Sequence, residues 1–137
     1  MFKTIVVPVD LAHKEALSKA LCVARDLART YSAKYYIVGV TAKTPSARAR
    51  TPEEYKARLG DYAKALGEDF GIDVHPYPVT SHDLAVDLER DIINACDTLG
   101  ADLVVMASHV PGLAEYVFSS NAGYLASHAK ISVFVVR

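Results

Sequence analysis

Short runs of β-branched and aliphatic residues alternate along this chain with longer amphipathic stretches. Thr4 to Val9 (TIVVPV) is an almost unbroken apolar run closed by Asp10, the pattern of a strand buried on both faces in a parallel sheet. From His13 to Tyr31 the apolar positions Leu17, Ala20, Leu21, Ala24, Leu27 and Ala28 recur at helical spacing, opposite a solvated face carrying Lys14, Lys19, Arg25 and Arg29. Tyr35 to Val40 predicts a second strand, followed by a polar loop from Thr41 to Arg50. Thr51-Pro52-Glu53-Glu54 opens the next helix, with Thr51 as N-cap and Glu54 placed to close a capping box. Tyr55, Leu59, Tyr62, Leu66 and Phe70 supply its apolar stripe.

Beyond Gly71, apolar residues alternate from Ile72 to Val79, and Pro76 and Pro78 push that strand to a sheet edge. A third helix is expected over Ser81 to Leu99, carrying Ala85, Leu88, Ile92, Ala95, Cys96 and Leu99 inward and ending at Gly100. Leu103 to Met106 is another buried strand, Ser119 to Ala129 a last helix and Ser132 to Val136 a last strand. Strand and helix alternate with short connections, which predicts one α/β domain over residues 1–137, a parallel sheet between helices. Open sheets of that kind bind ligands beyond the carboxyl ends of their strands, where the strand order reverses.

Charge narrows the partners. The chain has 15 basic and 16 acidic residues, a net charge of −1, so no overall field favours nucleic acid or a membrane surface. Cys22 and Cys96 lie in separate helical patterns, away from any CxxC pair or histidine cluster, and read as small core residues of a reducing compartment. Met1-Phe2-Lys3 leads into a strand with no basic-then-apolar leader, and no apolar run reaches the roughly 18 residues of a membrane span, so the expected compartment is the cytoplasm.

The stretches beyond the strand ends are Val9-Asp10-Leu11, Val40-Thr41-Ala42 and the segment from Ala107 to Asn121. Ser119-Ser120-Asn121 begins a helix, and a helix N-terminus attracts anions through its unpaired N–H groups and the positive end of its dipole. A serine there also serves simply as a helix cap, and the local pattern alone favours the cap over phosphate binding. His109 has the side chain for acid–base work, but no second ligand stands at metal spacing near it. His13, His75 and His82 read as surface residues, His128 as a cation suited to a helix C-terminus, and Tyr116, Phe118 and Tyr124 as packing. Lys43, Arg48 and Arg50 read as members of a solvated loop, with closure over a triphosphate as the alternative.

Lys3-Thr4-Ile5-Val6-Val7-Pro8-Val9-Asp10, Ala101-Asp102-Leu103-Val104-Val105-Met106-Ala107-Ser108-His109 and Ser132-Val133-Phe134-Val135-Val136-Arg137 together resemble the universal stress protein family. The resemblance spans essentially the whole chain, with residues 44–80 fitting mainly by element order. It implies a three-layer Rossmann-like fold with a five-stranded parallel sheet of order 3-2-1-4-5 and helices on both faces. It further implies an adenine nucleotide, ATP with Mg²⁺ in the first instance. Pro8, Val9 and Asp10 would border that nucleotide, with Asp10 near ribose or phosphates and Val40 against the adenine. Met106 would lead into a phosphate segment of Ala107, Ser108, His109 and Val110, completed by Ser119, Ser120 and Asn121.

The family's ATP-binding pattern places glycine where this chain has Ala107, Val110 and Ser119. One branch of the family instead runs Ala-Ser-His-x-Pro to Gly-Ser-Asn-Ala and matches here except at Ser119. Glycine lets a backbone approach phosphate or turn left-handed at no steric cost, so weakened or altered phosphate binding is expected here. The implied function is that of a small stress-response regulator signalling through conformation or an unidentified protein partner, not an enzyme. The alternative is a dimeric adaptor with a decayed pocket; an enzyme ranks third, because a Walker-type loop and a GxSxG elbow are lacking. The apolar strand Ser132 to Val136 is expected to pair with its copy in a homodimer.

Overall fold

The computed structural model describes residues 1–45, 51–108 and 121–137, without the side chains of residues 121 and 122. Five strands form one sheet: β1 (Thr4–Val9), β2 (Lys34–Ala42), β3 (Val74–Ser81), β4 (Leu103–Ala107) and β5 (Ser132–Val136). Every pairing is parallel and the order is β3-β2-β1-β4-β5, as expected, with the proline-bearing β3 at one edge. Among the described residues four α-helices connect them: α1 (Ser18–Tyr31), α2 (Pro52–Phe70), α3 (Leu84–Leu99) and α4 (Asn121–His128).

All six residues of β1 are buried, because it lies between β2 and β4 and is covered on both faces. Its alternate residues feed two cores. Ile5, Val7 and Val9 pack with Leu21, Ala24 and Ala28 of α1 and with Tyr55, Leu59 and Phe70 of α2. Val6 points the other way, joining Val38, Val40, Val104 and Met106 under Ile92, Ala95 and Cys96 of α3 and Leu125 of α4. The result is three layers.

Element boundaries depart from the sequence reading at identifiable places. The stretch predicted as helix from His13 begins with a 3₁₀ turn over Lys14–Leu17, and α1 proper starts at Ser18. Local hydrogen bonds to Asp10 hold the chain out of α-helical geometry there, with His13 at φ −135°, ψ 50°. The third strand runs to Ser81, not Val79, since β2 continues to Ala42 and offers Thr80 and Ser81 ladder partners. Helix α3 consequently starts at Leu84, capped by Asp83, whose side chain accepts from the Ala85 N–H at 3.1 Å. Ala85, expected inward, is exposed.

Thr51 caps α2 as expected, its hydroxyl accepting from the Glu54 N–H at 3.1 Å. Gly71 and Gly100 end α2 and α3 at φ 64° and 63°, the left-handed geometry that glycine adopts without strain. Part of the supposedly idle basic face of α1 is engaged: Arg29 donates to the Phe70 carbonyl at the end of α2, and Arg25 lies over the Phe70 ring, 5.1 Å from its centroid. Cys96 is buried, whereas Cys22 is only half-buried.

Candidate functional site

The strand order reverses at β1: the chain proceeds outward through β2 and β3 on one side and resumes through β4 and β5 on the other. At the carboxyl end of this switch point stand Pro8, Val9 and Asp10 from β1, Val40 from β2, and Met106, Ala107 and Ser108 from β4. Pro8 and Val9 register against Val38 and Gly39 of β2, which brings Val40 to the same end of the sheet as Asp10. The predicted residues divide between the two faces. Val40 and Met106 belong to the α3 side, Val9 and Ala107 to the α1 side. They meet only at the strand ends, which is where a ligand spanning the sheet would lie.

Asp10 is the charged group of this constellation and is 5 % exposed. Its carboxylate is held at both oxygens: Oδ1 accepts from the Ala12 N–H at 2.9 Å, and Oδ2 lies 3.1 Å from His13 Nδ1. The His13 N–H also donates to the Asp10 carbonyl at 3.0 Å, closing a tight turn. His13, read from sequence as a surface residue, is therefore a partly buried partner of the site carboxylate. The signal was present in the three-residue spacing from an aspartate that ends a strand, a spacing that lets an Asx turn bring the side chains together.

Ser108 has one of its groups committed. Its N–H donates to the Val136 carbonyl at 2.7 Å, extending the β4–β5 ladder, so that amide is not a phosphate donor. His109, Val110, Ser119 and Ser120 lie outside the described residues, as do Arg48, Arg50, Tyr116 and Phe118. Asn121 belongs to α4 and is the first of its described residues. Tyr124, expected to pack, is 44 % exposed and stacks on His128 at 4.0 Å between ring centroids. His128 Nδ1 is 2.9 Å from the Tyr124 carbonyl, consistent with its expected place in the last turn of a helix.

A further polar group escaped the sequence reading. Ser81 ends β3 beside Ala42 and is 1 % exposed, and its Oγ has no hydrogen-bond partner among the described residues. It lies two residues beyond Val79, which packs on the α3-side core, and so shares the face of Val40. On the opposite side of the first loop, a cleft of about 470 Å³ opens between Leu11, Ala12 and Lys14 and the α2 residues Arg58, Asp61 and Tyr62. It contains none of the predicted ligand residues. Burial pushes up the pKa of Tyr62, with Glu15 adding to the shift, and the Lys14 ammonium sits 4.9 Å from its ring centroid.

An adenine nucleotide fits this chemistry in one respect, since the acceptor-only carboxylate of Asp10 suits hydroxyl or amine donors, whereas Val40 and Met106 are buried in the α3-side core. No group of three His, Cys, Asp or Glu side chains placed to hold a metal occurs among the described residues. Magnesium on a triphosphate takes most of its ligands from phosphate and water, so such a cage is not required for a nucleotide-borne ion.

Comparison with known proteins agrees with this architecture. A model of the universal stress protein family matches residues 1–137. Universal stress protein G of Escherichia coli O157:H7 is 27 % identical over 144 aligned residues that take in the whole of both chains. Among solved structures, a universal stress protein in complex with cAMP aligns with a TM-score of 0.69 at 21 % identity, covering 99 % of this chain and 97 % of its own. The universal stress protein from Archaeoglobus fulgidus in complex with dAMP aligns at 0.65 and 20 % identity, covering 98 % of each chain.

Proposed function

The chain belongs to the universal stress protein family, and from that premise we propose that it is a cytoplasmic regulator that binds an adenine nucleotide and responds through its conformation or its affinity for a protein partner. The observation that carries the reading is the convergence of Pro8, Val9, Asp10, Val40, Met106 and Ala107 on the carboxyl end of the sheet at the reversal of strand order. Relatives of the same fold that hold cAMP and dAMP support the adenine choice. In this reading Val40 packs on the base, Asp10 lies near the ribose or phosphates, and the phosphates extend along Ala107, Ser108, His109, Val110, Ser119, Ser120 and Asn121. ATP with Mg²⁺ is the fuller form of the proposal, AMP the simpler one.

The role assigned is binding, without turnover. A membrane-inserted role has no support: among the described residues no helix is long and apolar enough to cross a bilayer. The proposal includes a homodimer formed through β5, whose Phe134 and Val135 are 46 % and 37 % exposed. Isothermal titration with AMP and with ATP, each with and without Mg²⁺, tests the nucleotide. Saturable heat at protein concentrations of about 100 µM is expected. Silence with all four would leave the dimeric adaptor as the better description. Mass spectrometry of small molecules released on denaturing gently purified protein then identifies which nucleotide is carried.

A further inference from the structure

We propose that the cleft between the first loop and α2 is a second ligand site, which takes a small zwitterion of the α-amino-acid class with an aliphatic side chain. The cleft measures about 470 Å³, within the range of about 300–1,000 Å³ usual for small-molecule sites. Lys14 lines it from the 3₁₀ turn after β1, and Asp61 and Tyr62 line it from α2. Arg58, on the same wall as Asp61, is already engaged by Glu54 one turn back, at 2.8 Å. The Lys14 ammonium is placed by the Tyr62 ring, 4.9 Å from its centroid, and has no ion-pair partner among the described residues. Asp61 likewise has none among them. One positive and one negative group thus stand on the two walls of the same space without neutralising each other.

That arrangement selects by charge. A simple anion such as phosphate is attracted by Lys14 and repelled by Asp61, and a simple cation meets the reverse. A molecule that is neutral overall but carries both charges satisfies both walls at once. An α-amino acid holds its ammonium and carboxylate on one carbon, leaving the side chain to the rest of the cleft. Leu11, Ala12 and Ala65 make that remainder apolar, which favours an aliphatic side chain. Tyr62 adds no third charge, because burial, with Glu15 contributing, raises its pKa and keeps the phenol neutral. Lys14 and Asp61 are exposed, so each charged contact is worth about fivefold in affinity and the complex falls in the millimolar range. The site shares no residue with the nucleotide reading and does not depend on it.

The test is a titration followed by amide chemical shifts in NMR, with three probes: L-leucine, leucinamide, which lacks the carboxylate, and N-acetylleucine, which lacks the ammonium. Expected are saturable shifts at Leu11, Ala12, Asp61 and Tyr62, with leucine binding about fivefold more tightly than either derivative. Lys14→Gln should weaken leucine about fivefold and leave leucinamide unchanged, since that probe has no carboxylate to lose a partner. Asp61→Asn should do the mirror image, weakening leucine and sparing N-acetylleucine. Absence of saturable shifts with leucine at tens of millimolar overturns the proposal. So does equal binding of the three probes, which would mark a merely apolar contact, or a loss in either variant that falls equally on all three.

Discussion

Gly39 of β2 lies close against α2. A Cβ added there would lie 2.4 Å from Tyr55 Oη and 3.1 Å from Leu59 Cδ1. Gly39→Ala should therefore destabilise the protein by about 1–3 kcal/mol in denaturant unfolding, the usual cost of overpacking. Combining it with Tyr55→Phe removes the nearest atom, and the double variant should recover part of the loss. The same scale decides cysteine reactivity. Desolvation, with Asp97 adding to it, pushes the Cys96 thiol up to about 12, so the thiolate is scarce at pH 8. A maleimide should label half-buried Cys22 first and reach Cys96 only as the protein unfolds; equal rates in the native state would contradict that. Sequence showed both cysteines as apolar helical positions but not which was deeper. The pairing of His13 with Asp10 was signalled only by their three-residue spacing, because hydrophobic patterning does not encode the backbone angles that decide whether such residues touch.

Elements were legible wherever their signals agreed. Thr51-Pro52-Glu53-Glu54 announced the start of α2, and Gly71 and Gly100 its end and that of α3. The start of α3 was expected at Ser81, although Ser81-His82-Asp83 holds two cap residues in three positions. Ladder partners on β2 drew Ser81 into the strand and left Asp83 as the cap. Asp83→Ala should thus cost about 1 kcal/mol, measured as a lower midpoint in urea. The end of α1 carries the opposite kind of opportunity: Ser32 holds the left-handed geometry, φ 52°, that Gly71 and Gly100 hold elsewhere. Ser32→Gly should raise stability by up to about 1 kcal/mol; a lower midpoint would show that its unfolded-state entropy outweighs the relieved strain.

At the scale of the molecule, the parallel sheet between helices was legible from the alternation of strands and helices, whereas its order was legible only through the family resemblance. Assembly is the part still to be measured. The proposed pairing through β5 predicts a dimeric mass by light scattering after size exclusion, and a monomeric mass when Phe134→Lys and Val135→Lys place like charges along the strand. A monomeric wild type at tens of micromolar would remove the proposal. The two edges of the sheet differ in kind. Pro76 and Pro78 stand at alternate positions of β3, so their missing N–H groups fall on one side, which on an edge strand is the open one. β5 contains no proline, and among the described residues it pairs only with β4. If β5 pairs as proposed, such a sheet is in the language of polymer chemistry a monofunctional monomer: one end reacts, the other is a chain stopper. Coupling of reactive end to reactive end then terminates at two units, so raising the protein concentration should fill the dimer without ever starting a fibre.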